Sequence, residues 1–164
     1  MSSSEHERYM RAAIRQARTA AEAGEVPTGC VIVNRDPLTL PRTGPIIGRA
    51  HNQVRTLKDP TAHAEMIAIT QAASAVGDWR LTHAVLYVTK EPCPMCAGAI
   101  ILARLSAVVF GAPDPRRGGA VSVFRILDHP QLNHRCEVVG GILADECRTL
   151  LQEFFRARRR MDRA

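Results

Sequence analysis

The pairing of His63-Ala-Glu65 with Pro92-Cys93-Pro-Met-Cys96 constrains this chain more than any other feature. Two thiols and an imidazole form a donor set suited to Zn2+. They come from separate segments, so a fold that uses them must bring both segments to one point. Cys93 and Cys96 are three residues apart and share a face if they lie on a helix. A helix N-terminus and a bound metal both favour the thiolate form. A structural zinc site would add a fourth Cys or His, and nothing here pairs with these three at finger-like spacing. An open fourth position, filled by water, is therefore the better reading, and open positions are catalytic. Glu65, two residues from the histidine, can take a proton from that water without being a ligand. Taken alone, Cys93-x-x-Cys96 would suit a thioredoxin-like redox pair equally well. The His-x-Glu segment one strand earlier shifts the reading to zinc.

Around this constellation the sequence alternates helix and strand. Glu5 to Ala23 has apolar residues at helical spacing and stops at Gly24. Gly29 to Val33 is a short β-rich run, and Pro45 to Gly48 begins another. Between them Asn34 to Gly44, with Pro37, Pro41 and Gly44, makes a long hairpin connection rather than a tight turn. Asp59-Pro-Thr61 signals a helix start, which predicts a helix from Pro60 to Ala75, with Trp79 in the loop after it. Ala84 to Thr89 is a strand, Pro92 to Arg104 a helix, Ala107 to Phe110 a strand and Gly111 to Ala120 a loop. Glu137 to Gly140 is a last strand, and Leu143 to Arg160 a closing helix. This order argues for an α/β sandwich with helices covering a central sheet. Residues 1–164 read as a single domain, with no repeat and no linker to divide them.

Hydrophobic residues make up 46% and charged ones 23%, which excludes a disordered or collagen-like chain. No apolar run reaches the roughly 20 residues of a membrane helix. No apolar stretch follows Met1 to Tyr9 to suggest a secretion signal, so a cytoplasmic location is expected. Five cysteines, an odd number, make a disulfide framework a poor reading. Cys30, Cys136 and Cys147 are expected as buried thiols. The net charge is +6, and Arg156 to Ala164 carries five arginines against one aspartate. Such a segment suits a phosphate backbone, or else is a solvated helix end where cations favour the dipole.

The His-x-Glu … Pro-Cys-x-x-Cys spacing is the known signature of zinc deaminases. Further matching stretches are Glu25-Val-Pro27, Asp59-Pro-Thr-Ala-His-Ala-Glu65, Leu86-Tyr-Val-Thr89, Val109-Phe-Gly-Ala112 with Asp114, His129-Pro130 with Asn133-His-Arg135, Gly141-Ile-Leu-Ala-Asp-Glu-Cys147 and Phe154-Phe-Arg156. Through them the chain resembles, over nearly its whole length, the bacterial tRNA adenosine deaminases of the cytidine deaminase superfamily. The resemblance implies a three-layer α/β/α sandwich with a central mixed five-stranded sheet of the cytidine deaminase type. It implies one zinc per subunit on His63, Cys93 and Cys96, with Glu65 as the catalytic proton carrier. It implies a homodimer whose active site is finished at the interface, acting on the wobble adenosine of a tRNA anticodon arm to make inosine. By position, Asn52 would contact the flipped adenosine, Asp114 and Asn133 the anticodon loop, and Phe155 and Arg156 the RNA beside the last helix.

Plainer roles exist for several of these. Asn52 and Asp114 also suit turn chemistry. Phe154 and Phe155 continue the apolar series Cys147, Leu150, Leu151, so at least one is expected in the core. Three features depart from the usual family pattern: the long Asn34 to Gly44 connection, Thr28 and Lys90 near the pocket, and Val121 in the loop after Asp114. Two rival functions share the zinc residues: deamination of a free purine or nucleoside such as guanine, and a non-catalytic zinc-stabilised RNA-binding module.

Overall fold

A computed structural model of the chain describes residues 2–37 and 44–161. Helix α1 (Ser3–Glu22) opens on Ser2, whose side chain accepts from the backbone N–H of Glu5. Strands β1 (Gly29–Asn34) and β2 (Ile46–His51) follow, then a single turn α2 (Val54–Leu57) and α3 (Ala64–Val76). After these come β3 (Ala84–Lys90), α4 (Pro94–Leu102), β4 (Ala107–Ala112), β5 (Glu137–Gly140) and α5 (Ala144–Met161).

The sheet order is β2-β1-β3-β4-β5. β1 pairs antiparallel with β2 and β3, whereas β3–β4 and β4–β5 are parallel. The sheet is thus mixed and five-stranded, as the resemblance implies. Two cores flank it. On one face Ala64, Ala68 and Ala72 of α3 and Ala97, Ile100 and Ile101 of α4 pack on Ile32, Leu86, Val88 and Val108. On the other, Met10, Ala13 and Ile14 of α1 and Cys147 of α5 pack on Val31, Val33, Tyr87 and Val109. Successive side chains of one strand serve opposite cores, so β1 as far as Val33, β3 as far as Val88 and all of β4 are apolar, with no visible alternation. α3 lies close against β2 because Gly48 has no side chain. A Cβ there would stand 2.6 Å from the Ala68 carbonyl oxygen.

The helix expected from Pro60 begins only at Ala64. Asp59 Oδ1 accepts from both the N–H and the hydroxyl of Thr61, and Ala62 N–H donates to the Asp59 carbonyl. Asp59-Pro-Thr61 is therefore a closed turn, and His63 with extended backbone (φ −74°, ψ 153°) takes the cap position. The short helix α2 was not legible. The ends of the long connection after β1 are tied down: Asn34 N–H donates to the Pro45 carbonyl, and the Tyr9 hydroxyl to the Gly44 carbonyl. Residues 38–43 of it lie outside the described residues. Cys30, Cys136 and Cys147 are buried free thiols, as expected. Burial pushes Cys136 and Cys147 up to about 12, and Cys30 well above its ordinary value. Among the described residues no helix is long and apolar enough to cross a membrane.

Candidate active site

Two helix N-termini converge beyond the C-terminal end of β3. His63 caps α3 and Cys93 caps α4, both with extended backbone, while Glu65 and Cys96 lie in the first turns. Pro94 opens α4, where its missing N–H costs nothing. His63 Nδ1 lies 3.6 Å from Cys93 Sγ and 3.5 Å from Cys96 Sγ. The three donor atoms all fall within 4.8 Å of one another, and no further His, Cys, Asp or Glu joins them among the described residues.

This set fits a zinc ion with an open position. Hydrogen bonds from Cys96 and His63 outweigh burial and bring the Cys93 thiol down to about 4, whereas sharing a proton with Cys93, reinforced by burial, drives Cys96 upward. The hydrogen bond to Cys93 raises His63. A metal bound here would displace the protons that the thiols and the imidazole carry. Glu65 is 3% exposed, and its Oε2 is the one buried side-chain N or O atom without a hydrogen-bond partner among the described residues. Burial raises its pKa. A buried carboxyl with one unpartnered oxygen beside three metal donors has the chemistry that proton transfer needs.

His63, Glu65 and Cys93 line a cavity of about 250 Å³ together with Glu25, Thr28, Asn52, Lys90, Asp114 and Arg117, and Cys96 lies buried behind them. Its far wall is the loop after β4, organised by Glu91. That carboxylate accepts from the N–H groups of Asp114 (2.9 Å), Val121 (2.8 Å) and Ser122 (2.9 Å), and from the Ser122 hydroxyl. Asp114 in turn accepts from the N–H groups of Arg116 and Arg117 and pairs with Lys90 at 2.6 Å.

Of the residues singled out from sequence, His63, Glu65, Cys93 and Cys96 come together, with Asn52 and Asp114 in the same cavity wall. Asn133 does not. It is exposed and accepts from Arg104 at 2.7 Å, beyond the C-terminal end of α4 and so opposite the cysteine end. Phe155 and Arg156 line a separate groove on α5 with Arg116, Arg148 and Arg159. Neither Phe154 nor Phe155 joins the core, which α5 enters through Cys147, Leu150 and Leu151. Beyond Leu151 the helix outruns the apolar surface it covers, and Phe154 packs edge-on against the exposed Phe155. Sequence reasoning missed Glu25, Glu91 and Arg117 as cavity groups. Glu25 stood only within a matching motif, and nothing local told that its carboxylate, or that of Glu91, turns inward.

Residues 4–159 match the MafB19-like deaminase family. The chain belongs to that family. It is similar to the tRNA-specific adenosine deaminase of Bacillus subtilis (strain 168), with 48% identity over 158 residues, 96% of this chain and 93% of the relative. Among solved structures, a tRNA:A34 deaminase studied for A-to-I editing at the wobble position superposes with a TM-score of 0.80 at 40% identity, covering 88% of this chain and 99% of that one. A guanine deaminase from Bacillus subtilis superposes with a TM-score of 0.60 at 35% identity, over 80% of this chain and 82% of that one. The deaminase resemblance carried by the motifs is borne out, and with it the α/β fold.

Proposed function

We propose that this enzyme hydrolytically deaminates adenosine to inosine at the wobble position of a tRNA anticodon. The observation that carries the reading is Glu65, buried and with an unpartnered Oε2, in one cavity with His63 and Cys93 of the His63, Cys93 and Cys96 donor cluster. The likeness to tRNA-specific adenosine deaminases supplies the substrate class. His63, Cys93 and Cys96 would hold one zinc ion per subunit, and the metal would supply a polarised water as nucleophile. Glu65 takes the proton this water loses on attack at adenine C6 and delivers it to N1, then carries the second proton from the new C6 hydroxyl to the amine, which leaves as ammonia as the C6 carbonyl forms. Asn52 contacts the flipped adenosine from the cavity wall. The target must leave its stack to enter, which costs little in an anticodon loop whose bases are unpaired.

Asp114 and Arg117 at the cavity, with Arg116, Arg148, Phe155 and Arg156 on the groove beside it, form the RNA-facing surface. A string of cations with an exposed aromatic ring suits a nucleic-acid backbone and its bases. Asn133 would meet RNA only outside its own cavity, which is consistent with a homodimer that finishes the site. The exposed apolar side chains Leu102, Val123 and Phe124 support such a dimer. A tRNA substrate places the enzyme in the cytoplasm.

The likeness to a guanine deaminase favours one second reading, deamination of a free purine. A single assay separates them. The purified protein is incubated with an anticodon stem-loop carrying a wobble adenosine, with guanine and with cytidine, and inosine, xanthine and uridine are measured. Inosine in the RNA alone is expected. Xanthine alone would overturn the proposal, and RNA binding without turnover would favour a non-catalytic module.

A further inference from the structure

Glu25 is 1% exposed, yet it lies at the edge of the cavity rather than in either core. The end of α1 puts it there. Gly24 adopts φ +73°, a left-handed conformation that favours glycine, and the Glu25 N–H closes the helix on the Ala20 carbonyl at 2.9 Å. The chain then turns inward with its carboxylate facing the segment after β2. There Oε1 accepts from the N–H (2.7 Å) and the hydroxyl (2.9 Å) of Thr56, and Oε2 accepts from Asn52 Nδ2 at 3.2 Å.

This arrangement decides which way the Asn52 amide faces. A carboxylate only accepts, so it holds the Nδ2 branch. The Oδ1 branch is left without a partner among the described residues, on a side chain that lines the cavity. We infer that Glu25 is a positioning residue: it fixes the Asn52 amide so that an acceptor, not a donor, meets the target nucleoside, and thereby sets which nucleoside the cavity takes. This rests on the reading of Asn52 as a substrate contact. The matching group on the nucleoside is a hydrogen-bond donor. Within a polynucleotide that is the exocyclic amine or the ribose 2′-hydroxyl, because the other ribose hydroxyls are esterified.

The carboxylate-to-amide exchange at Glu25 tests this with little change of shape. In E25Q the oxygen stays opposite the Thr56 N–H, which can only donate, so the new NH2 faces Asn52. Asn52 must then flip, presenting its own NH2 to the cavity. E25Q should lower kcat/KM for the stem-loop about 10- to 100-fold, with zinc content and thermal midpoint close to wild type. N52D alone sets two carboxylates against each other and should be at least as impaired. E25Q/N52D restores an oxygen to both sides and should recover activity above either single variant. A merely structural Glu25 produces no such reciprocal rescue.

A stem-loop with one 2′-deoxyadenosine at the target identifies the donor. The wild-type to E25Q ratio collapses toward one if the 2′-hydroxyl is read and persists if the amine is. Inosine formation by wild type reports on the proposed reaction, and the ratios among variants report on Glu25. Dissociation constants measured in an E65A background give those ratios even if wild type makes no inosine. Full activity and affinity in E25Q would overturn the proposal, as would a double variant no better than N52D. The comparison of N52D with E25Q/N52D decides the matter if E25Q alone fails to fold.

Discussion

The Lys90 ammonium lies 2.6 Å from the Asp114 carboxylate across the cavity wall, with side-chain exposures of 23% and 9%. Burial pushes Asp114 up, but the hydrogen bond and charge of Lys90 and the N–H groups of Arg116 and Arg117 outweigh it and hold the carboxyl below 3.8. A lowered carboxyl stabilises the fold fully above its unfolded pKa and loses that contribution as pH falls through the folded one. K90M should therefore cost about 1–3 kcal/mol near neutral pH, because it leaves a largely buried charge unpaired. The gap to wild type should shrink below about pH 4 as Asp114 protonates in both proteins. Denaturant unfolding across the acid range measures it, and a gap independent of pH would show that Lys90 acts by packing alone.

E65Q and E65A should retain zinc and fold while turnover falls by about 10²- to 10⁴-fold, the range of a lost proton carrier. The Glu65 carboxyl is buried with an unpartnered oxygen, so its charge weighs against folding. The thermal midpoint of E65Q should accordingly be no lower than that of wild type. Near-wild-type deamination by either variant would remove Glu65 from the mechanism.

Chelation should abolish activity without erasing the fold. The two apolar cores form without His63 or Cys93. The metal's contribution is a ligand-linked increment that depends on its free concentration. Far-UV circular dichroism should persist in chelator, the midpoint should drop, and both midpoint and activity should return with zinc.

Arg148, Arg156 and Arg159 share one groove on α5. Each arginine that meets a phosphate should reduce the slope of log affinity against log salt by about 0.7–0.9 when replaced by alanine. Fluorescence anisotropy with the stem-loop measures the slope. Deleting Arg156 to Ala164 should flatten it further, and an unchanged slope would mark this stretch as a solvated helix end.

Gly48→Ala tests the seat of α3. The added Cβ would meet the Ala68 carbonyl oxygen at 2.6 Å, a backbone atom that cannot swing aside. A loss of about 1–3 kcal/mol is expected, as for other overpacking. Activity should fall with it, because α3 carries His63 and Glu65.

Most elements were legible because each rests on local patterning. The stripe of α1 and the apolar runs of β1, β3 and β4 are properties of contiguous residues. The start of α3 was misread because Asp59 has two local uses. It can cap a helix or close a turn on Thr61, and the tertiary position of His63 selects the turn.

The sequence by itself picked out His63, Glu65, Cys93 and Cys96, which are recognisable by type and spacing wherever the segments lie, as the candidate donor set and proton carrier. Only the tertiary structure decided what surrounds them. Parallel pairing of β3 with β4 brings the loop after β4, and with it Asp114 and Arg117, over the cavity. The turn at Gly24 brings Glu25 to Asn52, while Asn133 is carried to the other end of α4 and Phe155 onto a separate groove. Ligand spacing is a short-range property of the chain. The walls of the cavity are contacts between residues far apart in sequence, and these follow from strand order and from which carboxylate finds its donors, neither of which any single segment encodes.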